Sequence, residues 1–376
     1  MDDFELHRHL IGQQGGRASL NTPALVLDRD ALDANIAAMA AFAKANKLAL
    51  RPHAKTHKSA DIAKLQIAAG AVGVCCAKIG EAEAMADGGI DSILITSPIV
   101  SAPAIERLVA LNKRVRDLRV VIDHPDNAAA LAAAMTDKKL NVLIDIDPGI
   151  RRTGVASAEA AVALAKAILA TPTLSYLGVQ FYCGREQHIE AFEERKTAVA
   201  KRIDYLRTVI AALTAIGAAP QVITGGGTGT HAIDASLGLL NELQAGSYIF
   251  MDRQYHDCAL RDGEASPFQT SLLIDARIVS ANTPGMATID AGFKAFATDG
   301  PTPLVISGAP DGAEYFFMGD EHGAVRAKEA RFRLGDVVTL TAPHCDPTVN
   351  LYDTYHVVRG DTLIDLWPIN ARGRSR

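Results

Sequence analysis

Between about residues 30 and 250, short apolar runs rich in β-branched residues alternate with longer Ala-rich stretches. In the longer stretches the apolar positions recur every three to four residues, the period of a helix packed along one face. The first shows the pattern: Leu32, Ile36, Met39 and Ala43 share a face behind Asp30, a candidate cap. The short runs predict eight buried strands, over 48–54, 72–77, 92–97, 118–123, 140–147, 174–182, 221–224 and 242–250. Helices are predicted over 58–69, 79–87, 102–114, 125–135, 157–170 and 190–216, with a weaker helical link over 228–241. Eight strand–helix units predict an α/β fold built on a closed (β/α)8 TIM-type barrel, with an open doubly wound sheet as the alternative.

After residue 265 the texture changes. Segments such as SLLIDARIVSA, MATIDAGF, VVTLTA and YHVVRGDTLIDLW read as strands broken by Gly, Pro and Asp turns, with no long amphipathic helix among them. The expected organisation is a barrel over 28–265 and a second, mostly β C-terminal domain formed by 266–376 with 1–27. The strand-like TPALVLD at 22–28 could join either domain.

The balance of charge narrows the function. With a net charge of -5, a mildly acidic balance, the chain is not expected to be a general nucleic-acid binder or to carry a polybasic membrane anchor. No apolar run approaches the ~18 residues of a membrane span, and the N-terminus is too polar for a secretory signal. The five cysteines (Cys75, Cys76, Cys183, Cys258 and Cys345) include no CxxC pair. Reduced thiols in a cytoplasmic protein are the expectation.

In such a barrel, chemistry collects where strands end, and the unusual residues stand there. The first strand ends in Arg51-Pro-His53-Ala-Lys55, so Arg51, His53 and Lys55 share one face. Were that face inward, Lys55 would sit desolvated among other cations, which favours a neutral amine able to form a Schiff base. The same segment also reads as an exposed basic turn. After the seventh strand comes Thr224-Gly225-Gly226-Gly227-Thr228-Gly229-Thr230, a glycine cluster whose amides can cradle a phosphate, or simply a turn. The fifth strand leads to Arg151 and Arg152, one of them expected to be structural. The sixth leads to Gln180 and Tyr182 on one face, then Cys183 and His188. His188 is either a general base or a helix cap. In Pro343-His344-Cys345-Asp346-Pro347 an extended backbone would point His344 and Asp346 to one side and Cys345 to the other. Such a nitrogen–oxygen pair suits Mn, Mg, Ca or Zn, though an acidic turn would look the same.

Taken in order, TPALVLDRDALDANI, LRPHAKTHK, ITGGGTGT, ELQAGSYIFMD and PHCDPTVNLYD make the chain resemble the D-threonine aldolases over nearly its whole length. The resemblance extends to 3-hydroxy-D-aspartate aldolases and, more loosely, to eukaryotic-type D-serine dehydratases. These are fold-type III pyridoxal phosphate enzymes with an alanine-racemase-like barrel and a β domain. The resemblance implies that Lys55 carries the cofactor, that Thr224, Gly225, Gly226 and Gly227 hold its phosphate, and that Arg152 lies near its ring. Tyr182 and His188 would line the substrate side, with Gln180 and Tyr255 as further cofactor-side candidates. His344 and Asp346 would hold a divalent metal, manganese first, with magnesium or calcium as alternatives. The dehydratases carry a cysteine two residues after the histidine, where this chain has Asp346, which favours the aldolases. Cys183 stands where several relatives have histidine, a departure on the substrate side.

The implied activity is metal-dependent retro-aldol cleavage of a small D-3-hydroxy amino acid, D-threonine giving glycine and acetaldehyde, with Lys55 and His188 as the catalytic pair. A homodimer is expected from the resemblance alone. Three rivals stay open. One is the same cleavage of 3-hydroxyaspartate, whose extra carboxylate would need a cation such as Arg151, Arg253 or His256. Another is dehydration of D-serine or 3-hydroxyaspartate to a keto acid. The third is a non-catalytic pyridoxal phosphate carrier.

Overall fold

The computed structural model describes residues 2–376. Eight short parallel strands form one sheet: β2 (Ala49–Leu50), β3 (Val74–Cys76), β4 (Ser92–Ile95), β5 (Asp117–Ile122), β6 (Leu140–Asp145), β7 (Leu174–Phe181), β8 (Val222–Gly225) and β9 (Glu242–Leu243), in the order β2-β9-β8-β7-β6-β5-β4-β3. A parallel bridge between His53 and Cys75 joins the two ends of that order and closes the barrel. Helices follow the strands as the apolar spacing predicts, and Leu32, Ile36, Met39 and Ala43 are all buried on one face of the helix Arg29–Ala45. Its N-cap is Asp28, whose carboxylate accepts from the Ala31 amide, and not Asp30.

The eighth strand is shorter than the predicted 242–250. Pairing with β2 and β8 stops at Leu243, and Ser247–Ile249 winds into a single 3-10 turn. Gly246 permits the approach: a Cβ there would lie 2.7 Å from Thr56 Oγ1 and 3.0 Å from the His53 carbonyl oxygen. The loop after β9 is thereby pressed against the segment that carries Lys55.

The second layer is a nine-stranded sheet. Its strands are β1 (Ala24–Asp28), β10 (Leu272–Thr283), β11 (Met286–Ile289), β12 (Val305–Ser307), β13 (Glu314–Phe317), β14 (Gly323–Arg326), β15 (Val337–Thr341), β16 (Thr354–Arg359) and β17 (Thr362–Pro368). The early strand β1 joins this sheet, antiparallel to β10 and parallel to β16. Leu25, Leu27, Leu272, Ile274, Tyr355 and Val357 from its inner face pack in one continuous core with barrel residues. That shared core fixes the β domain against the mouth of the barrel.

Residues 345–349 depart from the extended backbone expected of them. They form a one-turn helix, Cys345–Val349, with His344 as N-cap. Two contacts and a proline specify the turn. The buried Asp252 carboxylate accepts from the Cys345 amide (2.8 Å), the Thr348 hydroxyl donates to the His344 carbonyl (2.7 Å), and Pro347 falls in the first turn, where its missing N–H costs nothing.

Candidate active site

The face shared by Arg51, His53 and Lys55 runs up the inside of the barrel. Arg51 is buried low down and donates to Glu242 (3.1 Å) and Ser92 (2.9 Å). Above it, His53 Nε2 meets Thr96 Oγ1 at 3.0 Å. Lys55 emerges at the mouth, its side chain 36% exposed, and its ammonium donates to Asp346 of the β domain. The nearby Lys58 is spent on Glu81 (2.8 Å) inside the protein, which leaves Lys55 as the available amine of this segment.

The expectation of a neutral Lys55 amine does not hold in this state. Burial pushes the ammonium toward deprotonation, but Asp346 in direct contact outweighs it, and the pKa lies above the ordinary lysine value. Burial likewise raises the Asp346 carboxyl, and the Lys55 and His344 charges overturn that, holding it well below the usual carboxylate range.

Around this pair lie other residues singled out from the sequence. Arg152 places its guanidinium 5.6 Å from the centre of the Tyr182 ring, whereas Arg151 adopts a positive φ of 60° and gives its backbone amide to Asp147. The His188 and Tyr255 rings lie 4.7 Å apart. Burial, with His344 and Lys55 adding to it, lowers His188 to about 4, so its ring is neutral at physiological pH. Burial holds the Tyr182 and Tyr255 hydroxyls protonated. Gln180 sits deeper, donating to Asp145 (2.9 Å), while Gln244 donates to both Gln180 Oε1 and Thr224 Oγ1. His344 Nδ1 lies 2.8 Å from Asp299 Oδ2.

The glycine loop after β8 is braced from behind. The Gly227 amide donates to Thr230 Oγ1 (3.1 Å), and Thr230 donates to the buried Asp234 (2.6 Å). Gln187, next to His188, donates to Thr230 Oγ1 (3.0 Å) and accepts from the Gly229 amide (3.1 Å). Gly226 has a φ of 70°, and a Cβ there would meet Asp234 Oδ2 at 2.5 Å. Sequence reasoning missed Gln187, Thr230, Asp234, Asp252 and Asp299. Gln187, Asp252 and Asp299 meet partners 42 to 93 residues away, and although Thr230 and Asp252 stand inside ITGGGTGT and ELQAGSYIFMD, nothing in those strings marks them as braces.

A phosphorylated aldehyde cofactor fits these residues. Lys55 supplies an amine at the mouth, and Thr228, in the glycine loop, holds a buried hydroxyl with no protein partner. A divalent cation fits the donor set of His344 and Asp346, one imidazole and one carboxylate. Cys345 between them is fully buried, its thiol 3.5 Å from Asp346 Oδ1. Another group with ligand spacing, Asp3, His7 and His356, brings its donor atoms within 4.8 Å of one another. Its rings are already committed. The Asn21 amide donates to His7 Nε2 (3.0 Å), so His7 Nδ1 carries the proton and donates to His356 Nε2 (2.9 Å), while His356 Nδ1 donates to the Leu25 carbonyl (3.1 Å). Both lone pairs are filled, and the cluster serves to dock the N-terminal helix on β16.

Residues 27–254 match the family model described as "Alanine racemase, N-terminal domain", and residues 271–358 match "Putative serine dehydratase domain". The chain is 39% identical to the 3-hydroxy-D-aspartate aldolase of Paracoccus denitrificans (strain Pd 1222), over 95% of this chain and 94% of the relative. It is 38% identical to the D-threonine aldolase of an Arthrobacter species, over 96% and 94%. The crystal structure of D-threonine aldolase from Filomicrobium marinum superposes with a TM-score of 0.91 at 37% identity, covering 96% of this chain and 97% of that one.

Proposed function

This chain belongs to the alanine racemase N-terminal domain family as an aldolase-type, pyridoxal-phosphate-dependent carbon–carbon lyase, and from that membership we propose that it catalyses the divalent-metal-assisted retro-aldol cleavage of D-3-hydroxy amino acids, D-threonine among them. The observation that carries the proposal is one meeting point at the barrel mouth. Lys55 touches Asp346 there, Arg152 lies against Tyr182 and His188 against Tyr255. The charges of Lys55, His344 and Asp346 all act on His188.

Bound pyridoxal phosphate supplies an electron sink for the pair of electrons left at Cα when the Cα–Cβ bond breaks. A bound divalent cation supplies a Lewis acid that makes the β-hydroxyl easier to deprotonate. The remaining tasks fall to side chains. Lys55 would hold the cofactor by its aldehyde, and Thr224, Gly225, Gly226 and Gly227, with the unpaired Thr228 hydroxyl, would hold its phosphate. Arg152, Gln180, Tyr182 and Tyr255 would flank the ring, and His344 and Asp346 would seat the cation. His188, neutral because it is buried, would accept the β-hydroxyl proton at one of its ring nitrogens. The reading requires a rigid mouth, and the clamps on Thr230 and Asp252 support that.

An uncharged substrate side chain suits this mouth better than a second carboxylate. Of the three cations a second carboxylate could use, Arg253 already pairs with Asp257 (2.9 Å) and the acid beside His344 is Asp299, so a second carboxylate would depend on the exposed Arg151 or His256. The test is product analysis with D-threonine and with D-3-hydroxyaspartate, each with and without chelator. Glycine plus acetaldehyde, lost on chelation, is the expected result. Keto acid and ammonia would replace the proposal with dehydration, and glyoxylate formed in preference to acetaldehyde would move the substrate to 3-hydroxyaspartate. Size-exclusion chromatography tests the homodimer that accompanies this reading.

A further inference from the structure

Asp299 lies 45 residues before His344 in sequence, in a turn of the β domain, and its carboxylate meets the His344 ring at 2.8 Å from Oδ2 to Nδ1. A carboxylate only accepts, so Nδ1 carries a ring proton, and in the neutral ring Nε2 keeps the lone pair that a cation would take. The turn is tied to the His344 helix on both sides of Asp299. Before it, the Ala297 amide donates to Thr348 Oγ1 (3.0 Å), and the same hydroxyl donates to the His344 carbonyl (2.7 Å). After it, Gly300 packs so closely that a Cβ would come 2.9 Å from Gln254 Nε2 and 3.4 Å from the Pro343 carbonyl oxygen. Asp299 is 56% exposed, yet its place relative to the imidazole is fixed by these two anchors.

We propose that Asp299 is a positioning residue, which sets the tautomer and the orientation of His344 for the divalent cation. The inference rests on the reading of His344 and Asp346 as the metal pair. Carboxylate–histidine–metal relays of this kind sharpen ligand basicity and direction, and removing the outer carboxylate typically costs 10–100-fold in metal affinity.

The test uses the pyridoxal-phosphate-loaded enzyme, freed of metal and titrated with Mn2+, with free Mn2+ read by its electron paramagnetic resonance signal. Asp299→Ala is expected to weaken binding by about 10–100-fold. Asp299→Asn, whose amide oxygen still accepts from Nδ1, should fall between that variant and the parent. His344→Ala is run alongside. If His344→Ala loses Mn2+ while Asp299→Ala stays within about twofold of the parent, the positioning role is wrong and the metal pair stands. If neither variant changes the affinity, the metal pair itself is misassigned and this role goes with it.

Discussion

Asp346 is the counter-ion of Lys55, and in the proposed site it would also be the oxygen half of the metal pair. A cation at His344 therefore competes with the Lys55 ammonium for one carboxylate, and loss of each partner should be separable. Lys55→Ala is expected to abolish the yellow absorbance of the bound cofactor. His344→Ala should keep that absorbance and lose turnover by at least about a hundredfold. Spectra and product assays on the two purified variants check this, and full activity of His344→Ala in chelator would falsify the metal role. These residues were legible in the sequence because each stands in a compact, chemically unusual string at a strand end. Asp299, Asp252 and Gln187 were not. Each acts through a partner 42 to 93 residues away, and an acid or amide in a loop carries no mark of what it will meet. The charge of Lys55 is hidden from the sequence for the same reason, since its decisive neighbour, Asp346, comes from the one-turn helix of the β domain.

At the scale of elements, the barrel was readable because buried parallel strands and one-sided helices leave strong periodic signals. The signals failed where tertiary contacts override local pattern. The apolar run over 242–250 looks like strand throughout, but its pairing partners end at Leu243 and the chain turns to pack against Thr56 and His53. The 345–349 helix exists because Asp252 reaches across from the barrel. One buried carboxylate accepts from the Tyr255 amide with Oδ1 (3.1 Å) and from the Cys345 amide with Oδ2 (2.8 Å), bolting the loop after β9 to the turn that carries His344 and Asp346. Asp252→Ala leaves two buried amides without partners, and a loss of about 2–4 kcal/mol is expected in denaturant unfolding. The bolt for the glycine loop is Thr230, which accepts from Gly227 and Gln187 and donates to Asp234. Thr230→Val keeps the shape and removes all three bonds. It should weaken pyridoxal phosphate binding about tenfold or more, at roughly 1.4 kcal/mol per decade. Unchanged cofactor affinity in that variant would mean the loop is held by its glycines alone.

Over the whole molecule the buried titratable groups pull stability in opposite directions with pH. Burial lowers six histidines: His57 to about 3, His188 and His231 to about 4, and His7, His53 and His356 below their ordinary value. Each takes up a proton on unfolding between its folded pKa and about 6.5, so each costs stability as the pH falls through that window. Burial raises three carboxyls: Asp145 to about 6, Asp234 to about 7, and Asp252 above the ordinary value. Asp145 below about 6 and Asp234 below about 7 hold a proton when folded and release it on unfolding, and the shift of Asp252 has the same sign, so each adds stability as the pH falls toward 4. The histidines outnumber the acids, and each net proton is worth about 1.4 kcal/mol per pH unit. Urea midpoints of the cofactor-free protein should therefore drop as the pH is lowered from 7 to 4. The opposing share of one acid can be isolated. Asp234→Asn mimics the protonated side chain at every pH and can still accept from Thr230. Its stability relative to the parent should be greatest above pH 7, where the parent must either carry a buried charge or hold a proton against its tendency to leave, and the advantage should shrink steadily toward pH 4. A difference that stays flat from pH 7 to pH 4 would mean that Asp234 is ionised in the fold and that the brace behind the glycine loop is a charged one.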